Sequence, residues 1–291
     1  MAYNGTLVWD APPPWQRLNF SVIPYVLGTV NQDFENDEKT NYDAKIGGDV
    51  KLSLTSSLNL DLTVNPDFSQ VEVDRQVTNL GRFELFFPEK RQSFLENGDL
   101  FASFGYPTIR PFFSRRIGLG VPIQAGARIS GNLNEKWRLG IMDMQTASVD
   151  NTRLPSQIFG VVSLQRKVFS RSSIGLMFVN KQSIGYPQEN DSLKTLYPEF
   201  NRNLGVEYNL APSNNQWSGK AFFLAPFDPT RLGKAKLEVG TKHHWNAFGW
   251  MFSSKPQSLF TYTFDARFGG YYANGNRTSL TTELGIVFNL T

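Results

Sequence analysis

The sequence predicts an all-β protein: a transmembrane antiparallel β-barrel with an inserted lumenal segment. Three observations predict it. Apolar residues recur at every second position in run after run. Aromatic residues make up 14% of the chain, with 24 Phe, 10 Tyr and 6 Trp. The mean hydropathy is nevertheless −0.32, because each lipid-facing residue of such a strand alternates with a polar, lumen-facing one.

The elements follow in chain order. Over 44–54, Ala44, Ile46, Val50, Leu52 and Leu54 share one face, and Asp43, Lys45, Asp49, Lys51 and Ser53 share the other. After Thr55-Ser56-Ser57, Leu58, Leu60, Leu62 and Val64 alternate with Asn59, Asp61 and Thr63, which makes a hairpin. Ile123, Ala125, Ala127 and Ile129 alternate with Gln124, Arg128 and Ser130, and a turn at 132–135 leads to Trp137, Leu139 and Ile141. Ile158, Val162, Leu164 and Val168 oppose Ser163, Gln165 and Lys167. Leu204, Val206, Tyr208 and Leu210 oppose Glu207 and Asn209, with a break at 211–215. Phe260, Tyr262, Phe264, Ala266 and Phe268 oppose Thr261, Thr263, Asp265 and Arg267. Asn274-Gly275 signals a type I′ turn before the last apolar run, Leu280 to Leu290. Such runs amount to roughly 12 to 14 membrane-spanning strands. A soluble sandwich shares this period. Charges in mid-strand, and Trp137, Tyr208, Trp217, Trp245 and Phe260 near strand ends like an interfacial girdle, favour the barrel.

The whole of 1–291 reads as one barrel domain, and 65–120 interrupts its alternation. There Glu84, Glu89, Lys90, Arg91, Glu96, Arg115 and Arg116 mingle with Phe83, Phe86, Phe87, Phe94 and Phe101. A connection of about fifty residues without alternation is too long for a compact domain unless it is functional or folded back. It is expected to enter the lumen as a plug or constriction, its acids and bases paired with each other and with the wall. The segments 184–200 and 226–236 are expected to be exposed loops.

The run Leu62-Thr63-Val64-Asn65-Pro66-Asp67-Phe68-Ser69-Gln70-Val71-Glu72 precedes Arg82-Phe83-Glu84-Leu85-Phe86-Phe87-Pro88-Glu89-Lys90-Arg91. Then come Phe94-Leu95-Glu96 and Phe113-Ser114-Arg115-Arg116-Ile117-Gly118. Together they resemble an uncharacterised family of Bacteroidota- and Gemmatimonadota-type outer-membrane proteins, over about residues 18–130. In that family a carbohydrate-binding-like sandwich of the family-nine type often precedes a larger barrel, and members are often labelled hydrolases. The sandwich has no counterpart in this sequence and the barrel is shorter, so neither sugar binding nor a catalytic residue carries over.

Basic and acidic residues nearly balance, 29 against 26, which argues against a nucleic-acid partner. No cysteine is present, so disulfides, thiolate metal sites and cysteine nucleophiles are excluded. No apolar run is long enough for a membrane helix. The first residues lack the marks of a signal peptide, so a chain bound for the outer membrane is expected to be processed or excised. His243 and His244, the two histidines, point to opposite faces if they lie on a strand and cannot serve one site together. The acidic residues of 65–120 fit no EF-hand spacing, and no phosphate loop is present. No cofactor or metal is expected. The expected partners are the lipid bilayer of the bacterial outer membrane and other envelope proteins. The expected role is a porin-like channel or the membrane-embedded component of an envelope complex. The alternatives are a non-conducting scaffold or, third, an outer-membrane hydrolase using one histidine.

Overall fold

The computed structural model describes residues 10, 19–32, 40–66, 78, 87–105, 110–119, 121–149, 154–185, 199–227, 246–255, 259–271 and 275–286. Among them twelve strands form one sheet in the order of the chain, each antiparallel to the next. They are β1 (Phe20–Asn31), β2 (Asn41–Ser53), β3 (Leu58–Val64), β4 (Ile123–Asn132), β5 (Trp137–Thr146) and β6 (Ser156–Val168). The series continues with β7 (Ser172–Ile184), β8 (Phe200–Leu210), β9 (Trp217–Phe227), β10 (Ala247–Ser254), β11 (Phe260–Tyr271) and β12 (Gly275–Ile286). The all-β expectation holds, and the strand number falls at the lower end of the expected range. The sheet is not closed: among the described residues β1 and β12 are edge strands.

The alternation read from the sequence fixes which side chains share a face. On β2 and β3, Val50 lies opposite Leu62 and Leu52 opposite Leu60, while Lys51 lies opposite Asp61 on the other face. On β11 and β12, Tyr262 meets Leu284 and Ala266 meets Leu280. β4 departs from the sequence reading at its start. A register irregularity between Ile123 and Ala125 turns Ile123 away from Ala125, Ala127 and Ile129, into the buried cluster. One unpaired residue is enough to move a side chain to the other face.

The face opposite the apolar rows carries the interior. Its core joins Ile123, Met142, Met144, Val161, Met177, Phe222 and Leu224 from the strands to Phe94, Leu100, Phe101, Phe104, Phe112 and Ile117 from the inserted segment. This face is therefore the inward one. The outward face exposes Val26 (76%), Ile46 (73%), Val206 (44%) and Leu284 (83%). Pro226, expected in a loop, lies in β9 opposite Asn203; it falls beyond the stretch of β9 that pairs with β10, where a missing N–H breaks no ladder bond. The remainder of both expected loops, and Trp245, lies outside the described residues apart from Ile184, Gly185, Glu199 and Phe200 of the first and Phe227 of the second.

The turns joining β4 to β5, β8 to β9 and β10 to β11 share one rim of the sheet, and aromatic residues gather there. Trp137, Trp217 and Phe260 are the first residues of β5, β9 and β11. The Trp217 ring centre lies 5.1 Å from Phe252 and 6.1 Å from Tyr262. Arg166 stacks over Trp137 at 5.2 Å.

Candidate functional site

The inserted segment lies against the inward face of the wall. It contributes two single helical turns, α1 (Gln92–Leu95) and α2 (Asp99–Ala102), and a 3-10 turn at Ser114–Arg116. Asn97, between α1 and α2, takes φ 48, the left-handed region that asparagine tolerates better than most residues. Its side chain donates to Ser130 Oγ of β4 at 3.3 Å, so the bend is tied to the wall.

Two glycines shape the docking surface. A Cβ at Gly140 of β5 would stand 2.8 Å from the tip of the Phe101 ring, and one at Gly205 of β8 would collide with Phe104. Each glycine is a notch into which an aromatic side chain of the segment fits. Neither has the positive φ that would require glycine for conformational reasons, so space alone demands it.

Charged groups then pin the segment at several points along its length. Near its start, Arg91 pairs with Glu89 through Nη2 at 2.7 Å and Nε at 2.9 Å, and donates to the carbonyls of Ile117 (2.7 Å) and Ser114 (2.6 Å). One guanidinium thus ties the two ends of the segment together. Burial pushes the Glu89 carboxyl up, but hydrogen bonds from Arg91 and Ser114 outweigh it and leave the group below its ordinary value. Glu96 takes hydrogen bonds from Lys51 of β2 and Asn59 of β3. Burial raises it, and those two donors bring it below its usual range. Arg128 of β4 donates to the Ser93 carbonyl. Asp99 receives both terminal nitrogens of Arg138, at 2.6 and 3.1 Å, and is held below its ordinary value first by that hydrogen bonding. At the far end Glu207 of β8 accepts the Gly105 backbone N–H at 3.0 Å and sits 3.1 Å from Lys220 of β9. Lys220 in turn donates to the Ser103 carbonyl at 2.6 Å.

The residues singled out in the sequence are distributed as follows. Glu89 and Arg91 pair with each other inside the segment, while Glu96 reaches the wall. Lys90 is half-buried and its backbone N–H donates to Glu89 at 3.1 Å. Arg115 and Arg116 form the 3-10 turn, half-buried and exposed respectively. Glu84, His243 and His244 lie outside the described residues. Sequence reasoning missed the wall side of the site: Arg128, Arg138, Glu207, Lys220, Gly140 and Gly205. Inward parity was the one available signal for the charged four. It also anticipated ion pairing without the apolar cluster that Phe94, Phe101, Phe104 and Phe112 build. Among the described residues no group of three or more histidine, cysteine or acidic side chains could hold a metal ion.

No solved structure and no curated protein matches the chain. Residues 13–143, which span β1 to β4, most of β5 and the whole inserted segment, match the family model of a domain of unknown function (DUF5916), and over that stretch the chain is similar to that family.

Proposed function

We propose that the chain forms an outer-membrane β-barrel whose lumen is occupied by the segment 87–119, acting as a channel or as the membrane-embedded part of an envelope assembly. One observation carries this reading. Burial departs from that of a water-soluble protein in two respects: Glu207 and Arg128 are buried at 2% and 1% exposure, and Val26, Ile46 and Leu284 stand open on a broad apolar face. A lipid surround, and a lumen packed with the apolar cluster and paired charges of the segment, account for both at once. The aromatic rim at Trp137, Trp217 and Phe260 fits an interfacial girdle on the side of the short turns. Twelve is an even number, so β1 and β12 are antiparallel neighbours if their edges meet, and such a seam removes both exposed edges.

The segment obstructs the pore in this reading. Removing 70–110 raises single-channel conductance in planar bilayers, and the variant with Phe101→Ala and Phe104→Ala produces more frequent openings in an otherwise intact barrel. Unchanged conductance in both variants removes the obstruction. The close fit of Phe101 and Phe104 into Gly140 and Gly205 favours a second reading, a barrel shut at rest that docks partner proteins. A stoichiometric partner on purification, with no conductance, distinguishes it.

A further inference from the structure

The outward apolar band is not equally tall around the wall. Height is counted along each strand from its end at the short-turn rim, the level of Trp137 and Trp217. A strand rises about 3.4 Å per residue and tilts by about 40° in a membrane barrel, so each residue adds roughly 2.6 Å. On β1 the outward row runs from Phe20 to Val30, and on β9 from Trp217 to Phe227, ten residues up in each case. Neither row holds a charged, amide or hydroxyl side chain. Apolar surface there reaches about 26 Å, the full band of an outer-membrane barrel. On β5, β7 and β8 the apolar row stops sooner, at Ile141, Phe178 and Leu204, four to six residues or about 10–16 Å up.

Polar residues take the next outward positions, Asp143, Asn180 and Arg202. They fall in one row across the wall: Asp143 lies opposite Gly160, Gly160 opposite Asn180, and Asn180 opposite Arg202. Arg202 Nε donates to Asn180 Oδ1 at 2.9 Å. Its guanidinium stands 4.3 Å over the ring of Phe200, at the opposite end of β8 from the short turn. Gly160 puts no apolar side chain into the row. A charged side chain held in hydrocarbon is costly, and the cost falls away toward the headgroups. We infer that lipid headgroups descend to this row, thinning the bilayer beside β5–β8 by roughly 5–10 Å relative to β1 and β9. A headgroup phosphate meets Arg202 there, and a headgroup amine meets Asp143. The thinning presupposes the barrel reading and gives its wall a thick side and a thin side.

The chain has no cysteine, so a nitroxide label can be attached at a single introduced one. Gly160→Cys on β6 and Ala225→Cys on β9 place it eight residues from the short-turn end of each strand, at equal height on the thin and thick sides. A Cβ at Gly160 meets only ordinary contacts, the nearest 3.6 Å away at Asp143 Oδ2. The full chain is reconstituted into dioleoylphosphatidylcholine vesicles. The label at 160 then collides with a water-soluble nickel chelate severalfold more often than the label at 225, which collides more often with molecular oxygen. Asp143→Leu, Asn180→Leu and Arg202→Leu together give the 160 label the lipid-like values of 225. Equal accessibility of the two labels overturns the thinning. So does a 160 label screened from both reagents by a protein neighbour, or one that the leucine variant leaves unchanged. The barrel reading fails by a different result, both labels open to the nickel chelate in a chain that stays out of the vesicles, and the thinning falls with it.

Discussion

Neighbouring residues of β8 show how differently the two faces of one sheet are treated. Val206 points outward and stands 44% exposed, whereas Glu207 points inward and is 2% exposed. β7 repeats the contrast, with Leu176 open and Met177 buried. The outward face is mostly apolar, with Asp143, Arg166 and Arg202 among its exceptions, and has no covering element among the described residues. The inward face is mixed, with glycine, serine, methionine and charge, and each inward type meets something specific on the inserted segment. Composition alone would rank Val206 as core and Glu207 as surface. The fold reverses that ranking, with Glu207 buried under the inserted segment and Val206 left open.

Four experiments break or sharpen the contrast, from the largest effect to the smallest. Glu207→Ala strands Lys220 and leaves the Gly105 N–H without its acceptor. Losing one member of a buried pair costs about 3–5 kcal/mol, measured by denaturant unfolding in detergent, and a loss under 1 kcal/mol contradicts its anchoring role. Val206→Arg leaves the inward face untouched. In lipid it costs about 2–4 kcal/mol near the bilayer midplane, whereas an exposed position in water tolerates it within roughly 0.5 kcal/mol. Folding into vesicles compared with detergent-free buffer separates the two. Gly205→Val fills the notch beneath Phe104, and overpacking of this kind costs about 1–3 kcal/mol. Limited proteolysis then cuts within 99–105 faster than in the parent, and an unchanged rate denies the notch its function.

Acid gives the smallest effect. Glu89, Glu96 and Asp99 all sit below their ordinary values of 4.5, 4.5 and 3.8 in the folded state. A carboxyl lowered by folding binds its proton more readily when unfolded, so its contribution is full above those ordinary values and disappears as pH falls through the lower, folded ones. Protection of 89–99 against hydrogen exchange therefore holds at neutral pH and weakens below about pH 4. Loss of protection on raising the pH instead would reverse the sign and exclude these ion pairs as the cause.

Strand faces were legible because a period of two needs no knowledge of the partner strand. β2, β3 and β11 show that, with each predicted face intact. Ile123 was assigned to the wrong face because a bulge changes parity without any residue that marks it. The segment at 65–120 was legible as an interruption, and Glu96 as a charge within it that pairs with another. Its anchors were not. Asp99 and Arg138 are 39 positions apart, and Gly105 and Glu207 are 102 apart; such meetings depend on where the segment crosses the wall. Gly140 and Gly205 were invisible for a simpler reason. A glycine inside a strand reads as a weakness until the ring that occupies its missing side chain is known.

The placement of those two glycines has a mechanical consequence. Phe101 and Phe104 are three residues apart in the segment, yet their notches lie on β5 and β8, three strand spacings or about 14 Å apart. The segment thus runs crosswise to the strands, like a tie-rod set into a staved wall. Sliding β5 past β8 would drag one ring out of its socket while the other stayed put. Stiffness across this side of the sheet comes from the tie as well as from the ladder of backbone hydrogen bonds. Freeing the segment would soften the wall in the same movement.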